Sequence, residues 1–322
     1  GTARQFLVGA GTSTAALASG GNTSAPATSA ATETWNGTNW TEVNDMNTAR
    51  KYSGGANAGT NTATLVFGGD DGSIRAYTES WNGTNWTEVN DMNTAVQLLA
   101  GSGTQPAALA IGGDGPPALT KTESWNGTNW TEVNDLNTAR AQLAGNGIST
   151  ATLAMGGNNP GGLKALTEIW NGTNWTETGD LSTATDNLAA SGTTSNALAF
   201  GGETVPANST TATEEFTGAG QPIGAWATGT SVNTARYDGA GIGSQDAAQF
   251  VGGNDGSAAD ALNEVWNGTN WTEANDINTA RWEIAGCGVT TASLVASGRA
   301  PGSTIGNTES YNGTNWTEVN NL

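Results

Sequence analysis

The chain has 322 residues, including 47 Gly, 13 Trp, one Cys and no His, and its ten Lys plus Arg against 29 Asp plus Glu give a formal charge of −19. That charge repels phosphate backbones, so nucleic acid is not an expected partner. The lack of His removes Ser-His-Asp triads, Cys-His pairs and His-based metal centres, the lone Cys287 excludes an intramolecular disulfide, and the longest apolar runs are too short for a membrane span.

The N-terminal residues show neither a basic n-region nor an apolar h-region. The peptide Trp-Asn-Gly-Thr-Asn-Trp-Thr-Glu then starts at Trp35, Trp81, Trp125, Trp170 and Trp266, with a variant at Tyr311. Counted on the second aromatic, the series Trp40, Trp86, Trp130, Trp175, Trp226, Trp271 and Trp316 steps by 46, 44, 45, 51, 45 and 45 residues. Seven such units suit four-stranded blades in a ring, and the 3.6-residue periodicity of helical repeats is absent. The expectation is one all-β domain over 1–322, a seven-bladed β-propeller with four antiparallel strands per blade at approximately 2–46, 48–92, 94–136, 138–181, 183–232, 234–277 and 279–322. In the fifth unit Phe216 replaces the first Trp, and an insertion over 217–225 replaces the short turn.

Within a unit, the first strand follows Thr-Ala-Arg, as in Arg140–Gly145, and its Gly and Ala suit the crowded innermost place. The second, as in Ala151–Met155, stops at a Gly-Gly pair such as Gly156-Gly157, with Ser297-Gly298 in the last unit. Thr-Glu-x-Trp and Trp-Thr-Glu-Val form the third and fourth, joined by Asn-Gly-Thr-Asn, and Asn-Gly between strands signals a hairpin.

An Arg, then a Gly-Gly pair, then an aromatic followed five residues later by Trp resembles the kelch repeat over essentially the whole chain. The resemblance implies a kelch-type propeller, related in architecture to the central domain of galactose oxidase, whose copper site needs His ligands that this chain lacks. The near-identical repeats are also similar to Asn/Thr-rich repeats in structural proteins of marine bacteriophages.

Twelve of the thirteen Trp occupy the repeated slots, and Trp35, Trp40, Trp81, Trp86, Trp125, Trp130, Trp170, Trp175, Trp226, Trp266, Trp271 and Trp316 are expected to fill the space between blades. Arg4, Arg50, Arg140, Arg236 and Arg281 recur at a fixed place in the repeat while Glu33, Glu79, Glu123, Glu168, Glu214, Glu264 and Glu309 recur two residues before the first aromatic, which suggests repeated ion pairs or Arg-to-carbonyl bonds, with Val96 and Thr185 in the two blades lacking the Arg. The frame runs from an innermost to an outermost strand, so no strand latch is expected within it.

Carboxylate pairs recur in every unit, whereas a catalytic pair belongs in one place. Asp70-Asp71-Gly72-Ser73 and Asn254-Asp255-Gly256-Ser257 offer loop oxygens, but lack the spaced ligands of an EF-hand and sit where turns are expected. Asn-Gly-Thr and Asn-Trp-Thr are formal glycosylation sequons that the turn and strand also require. Cys287, between two Gly, reads as a small hydrophobe. No metal or other cofactor is expected, and the chain reads as no enzyme.

The repeats differ from one another in two places: the segments after each Gly-Gly pair (22–31, 70–77, 114–121, 158–166, 203–212, 254–262 and 299–307) and the two or three residues after each Thr-Ala-Arg. In a four-stranded blade both emerge on one face, where binding loops belong. Tyr52, Arg75, Tyr77, Lys121, Lys164, Tyr237, Trp282 and Arg299 fall there as candidate ligand-binding residues. The chain is accordingly read as a non-enzymatic binding or structural module of a phage particle, an appendage, fibre or capsid-surface component. Its expected partner is another virion or surface protein, or a cell-surface glycan. A lectin-like bacterial propeller and an intracellular kelch adaptor are the alternatives, so a virion or extracellular setting is favoured with the cytoplasm left open.

Overall fold

The computed structural model describes residues 2–23, 27–56, 58–204, 208–218 and 224–322. Residues 219–223 of the fifth-unit insertion, and 24–26 and 205–207 of two variable segments, lie outside the described residues. Seven four-stranded antiparallel sheets follow one another along the chain, each built from continuous sequence, and the described residues contain no helix. In the third blade the strands are Ala100–Thr104, Ala107–Ile111, Thr122–Trp125 and Trp130–Glu132, in that order from the inside outward. The innermost strands pack against one another around an axis, and Val8–Thr12 touches both Gly54–Gly55 and Ala285–Val289, which closes the ring. The molecule is a seven-bladed β-propeller.

Crowding at the axis explains the small residues. A Cβ on Gly101 would lie 2.2 Å from the carbonyl oxygen of Gly55 on the preceding blade, a separation that no side chain survives. The expected strand over Arg140–Gly145 begins instead at Ala144. Gln142, at φ 53°, breaks the extended run before it. The other three strands of the unit fall where the repeat places them, and the degenerate fifth blade keeps Phe216 directly opposite Trp226.

The core lies between blades. Phe67 and Met92 of the second blade, for example, pack against Trp125 and Trp130 of the third. Paired aromatics such as Trp81 and Trp86 sit across from each other with ring centroids 5.4 Å apart. Trp40 and Trp226 are half-buried; the other ten motif Trp are buried.

Candidate functional site

Nearly every recurring residue has a structural partner. In the first four units the first Trp donates its indole N–H to a carbonyl in the inner hairpin, as Trp35 does to Ser13 at 2.9 Å and Trp125 to Gln105 at 2.9 Å, whereas the buried Trp266 indole has no acceptor. The second donates to a Thr hydroxyl on the preceding blade: Trp86 to Thr32, Trp130 to Thr78, Trp175 to Thr122 and Trp271 to Thr213, each at 2.9 Å. Trp40 makes the same bond to Thr308 at 3.0 Å, so the seam between the last and first blades is joined like the other interfaces. Arg4 adds a backbone bond there, its carbonyl accepting from Gly298 at 3.0 Å.

The Asn after each Trp-Thr-Glu-Val reaches the Asn-Gly-Thr-Asn turn of the next blade. Asn44 donates to the Thr84 carbonyl at 3.0 Å and to Asn85 Oδ1 at 2.7 Å, and Asn90 and Asn275 repeat the pattern. The adjacent Asp accepts a strand amide, as Asp45 does from Thr32 at 3.1 Å. Both formal sequon positions are thereby occupied by structure: Asn36 Oδ1 accepts the amides of Thr38 and Asn39, at 2.9 and 2.8 Å, and closes the turn.

Five buried ion pairs lock the connectors. Arg140 meets Glu168 at 2.8 Å and also donates to the carbonyls of Gly156 and Leu166, while both side chains are at most 1% exposed. Arg4–Glu33, Arg50–Glu79, Arg236–Glu264 and Arg281–Glu309 repeat this arrangement. Where Val96 stands in place of Arg, Glu123 is held by the amide and side chain of Asn93 and the amide of Thr94.

What this scaffold leaves over is one ring. Two residues beyond each Arg position, the chain turns through the left-handed region at Phe6, Tyr52, Leu98, Gln142, Asn187, Asp238 and Glu283, with φ between 49° and 56°. Left-handed backbone costs a residue with a Cβ roughly 1–2 kcal/mol, and Gly is the ordinary solution. The chain uses that solution elsewhere: the first position of the Gly-Gly pair has φ from 58° to 67° and is Gly in six blades, with Ser297 in the seventh. At the ring it is never Gly.

These seven residues form the mouth of an axial cavity of about 570 Å³, floored by Leu7, Leu99, Leu143, Leu188 and Ile284. A second cavity of about 260 Å³ shares Leu7, Ser53, Leu99 and Leu143 with it and is lined further by Gly9, Gly54, Gly55, Ala100, Gly101 and Gly145 of the inner strands. Chain order is ring order, so the mouth divides into an apolar arc (Phe6, Tyr52, Leu98), an amide arc (Gln142, Asn187) and an acidic arc (Asp238, Glu283). The Phe6 and Tyr52 rings touch, with centroids 4.5 Å apart. Backbone amides link the ring: Leu98 donates to Tyr52, and Gln142 to Leu98, at 3.0 Å.

Burial, reinforced by Glu283, Glu203 and Asp186, pushes Asp238 up to about 7. Burial also pushes Glu283 to about 7, although Arg299 and a hydrogen bond with Trp282 pull it the other way. Burial and the nearby Glu283 and Asp70 raise the Tyr52 phenol.

Of the residues expected from sequence, Tyr52 lines the cavity. Tyr237 and Trp282 sit one residue before the ring, paired through backbone with Asn254 and Arg299, and Arg299 lies over the Trp282 ring at 5.4 Å. The other four are not at the mouth. Arg75 is paired with Asp71 and lies over Tyr77, Lys121 is held by Glu132 and Asp135 at the outer strand, and the Lys164 ammonium lies 3.5 Å from the Gly161 carbonyl in its own hairpin. Phe6, Leu98, Gln142, Asn187, Asp238 and Glu283 were not picked out individually from sequence. Their signal was the repeat-to-repeat variation immediately after Thr-Ala-Arg.

The two Asp/Gly loops spend oxygens on their own turns: Asp70 accepts the Gly72 amide at 2.6 Å, and Asp255 accepts those of Ser257 and Ala258 at 2.7 Å. Among the described residues no group of three or more Cys, Asp or Glu is arranged to hold a metal. Cys287 is half-buried, with burial pushing its thiol up to about 12.

No family model and no curated protein matches the sequence. The fold is similar to solved structures, among them the structure of YjhT, which aligns with a TM-score of 0.66 at 12% identity over 85% of this chain and 98% of that one. At that identity the likeness carries the fold alone.

Proposed function

We propose that this protein is a non-enzymatic, kelch-type binding propeller that engages its ligand through the variable face centred on the axial mouth. Its setting is a phage particle, where it attaches to a host surface or to another virion protein. The observation that carries the binding face is the ring itself. Seven different side chains occupy a backbone position that favours Gly, in a chain that supplies Gly at the comparable position six times in seven. The opposite face offers a poorer candidate, because its repeated Asn side chains are already engaged between blades. The phage setting rests on the resemblance of the repeats and on the acidic, Asn- and Thr-rich composition.

The test is attachment by a Phe6→Gly, Tyr52→Gly double variant whose circular dichroism matches the parent. A loss of at least about tenfold in binding to the host surface or partner, equivalent to about 1.4 kcal/mol, is expected. Unchanged attachment by the folded variant would remove the mouth from the binding face. A carbohydrate ligand is the second reading, favoured by the touching Phe6 and Tyr52 rings beside the amides of Gln142 and Asn187. A glycan array on which binding is lost in Trp282→Ala would favour it.

A further inference from the structure

We propose that the axial mouth takes an organic cation with an apolar stem. The ammonium or guanidinium head sits against Asp238 and Glu283, and the stem lies along Phe6, Tyr52 and Leu98 onto the leucine floor. The proposal rests on the variable face being the binding face, and it adds the ligand's chemistry.

The two poles are the first argument. An apolar arc and an acidic arc share one cavity of about 570 Å³, within the range of small-molecule sites, so a ligand with a single character would satisfy only half of it. An anion is opposed by Asp186, Glu203, Asp238 and Glu283, which lie close enough that the other three each raise Asp238. A neutral apolar guest would leave the Asp238 carboxylate without a donor.

Unmet acceptors are the second argument. Glu283 lines the cavity and, although its carboxylate also meets Trp282, its Oε2 is buried with no hydrogen-bond partner. Asp238 has no cation or hydrogen-bond donor paired with its carboxylate among the described residues. A buried acceptor without a donor is costly, and an ammonium brings three donors while a guanidinium brings five.

The protein's own cations do not fill the role. Five of the ten are buried in the ion pairs that lock the connectors. At the mouth, Lys51 lies over the Tyr52 ring at 5.0 Å and Arg299 over Trp282 at 5.4 Å; of the two, Arg299 contributes to holding Glu283 down, and neither figures among the neighbours of Asp238. Asp70 completes the charged groups facing the site, through its effect on Tyr52. The same chemistry has two sources, a free alkylamine or a Lys or Arg side chain presented by a partner protein.

The experiment is calorimetric titration of the whole chain with hexylamine, hexanol and hexanoate at pH 6 and pH 8. A simple amine stays protonated across that range, so any pH dependence reports on the protein's acids. Hexylamine is expected to bind at pH 8 at least about tenfold more tightly than hexanol or hexanoate and to weaken several-fold at pH 6. Asp238→Asn, Glu283→Gln should abolish the preference, and Glu88→Gln, an exposed acid on an outer strand, should keep it. Equal affinity for hexanol and hexylamine would overturn the cation while leaving the mouth as a binding site. If none of the three probes binds, the cation and the mouth as a small-ligand pocket both fail. A preference that survives the double variant, or disappears in Glu88→Gln, would reduce it to the general attraction of an acidic protein. With the preference established, acetyl-lysine-amide, which keeps its side-chain ammonium, separates the sources: tighter binding than hexylamine indicates a protein side chain, weaker binding a free amine, and either ranking supports the site.

Discussion

The rim of Asn-Gly-Thr-Asn turns and the ring at the axial mouth are both sets of repeat-equivalent positions, yet one is nearly constant and the other differs in all seven blades. At the rim the Thr and second Asn of a turn answer to the neighbouring blade, as Thr84 and Asn85 do to Asn44, so a change there would disturb two blades. At the mouth the side chains answer to a cavity. The constancy of the rim is therefore explained by assembly of the ring, and the diversity of the mouth requires a separate reason. The polar groups that the repeated turns could offer a partner are, for the same reason, partly consumed.

The largest expected break in the comparison comes from the locked connectors. Arg140→Val leaves Glu168 buried with only the amide and side chain of Asn137, and unfolding free energy should fall by about 3–5 kcal/mol. Blades that already carry Val96 or Thr185 show that the fold tolerates this, so the low end of that range is expected. At the mouth, Leu98→Gly should change stability by no more than about 1 kcal/mol, because relief of left-handed strain offsets lost apolar contact. Denaturant titration of both variants checks the pair; a mouth substitution as damaging as the Arg variant would erase the distinction.

Next in size is the indole bond. Trp130→Phe deletes the N–H that reaches Thr78 and some packing against Phe67, and should lower stability by about 1–2 kcal/mol with no change in ligand binding.

The sequence disclosed the blades because their determinants are local and repeated. Asn-Gly marks the turn, flanking Trp mark the paired strands, and Gly and Ala mark the axis. Buried Arg and Glu were legible for the same reason. The mouth was only half legible. Variation after Thr-Ala-Arg pointed to the right segment, but no sequence pattern states that Gln142 lies left-handed or that Phe6 and Glu283 meet around a ring, since those contacts join the ends of the chain. Aromaticity and charge drew attention to Lys121 and Arg75, whose functional groups the fold ties to nearby carboxylates. Asp238 and Glu283 carried no local mark, because their environment is made by other blades.

A smaller effect separates the two regions by pH. Asp238 is raised from 3.8 to about 7, so the native state holds its proton more tightly than the unfolded chain does. Its contribution to stability is fully present below the unfolded value and is lost as pH rises toward 7. Asp238→Asn removes that dependence. The loss of stability between pH 5 and pH 8 should shrink by about 1 kcal/mol in the variant, after allowance for a half-buried group. Thermal melts at the two pH values measure it, and a rim variant such as Asn90→Ala should leave the slope unchanged.

The finest comparison lies inside the scaffold, where the sixth blade departs from its siblings twice. Gln249 occupies the buried second-strand position that is Leu in Leu17, Leu65, Leu109, Leu153, Leu198 and Leu294, and Asn263 replaces the Thr that accepts from the next blade's Trp. The two meet, Gln249 Nε2 donating to Asn263 Oδ1 at 3.3 Å, and Trp316 is left with a buried indole N–H and no acceptor. Asn263→Thr alone supplies that acceptor but strands the Gln249 amide, and Gln249→Leu alone strands Asn263 Oδ1, so each single change should be close to neutral. Together they restore the arrangement of the other interfaces and should add about 1 kcal/mol. The coupling in a double-mutant cycle is the quantity to measure, with a favourable interaction above about 0.5 kcal/mol expected. Strict additivity would mean that the two departures arose independently and that the Trp–Thr bond is worth little at this interface.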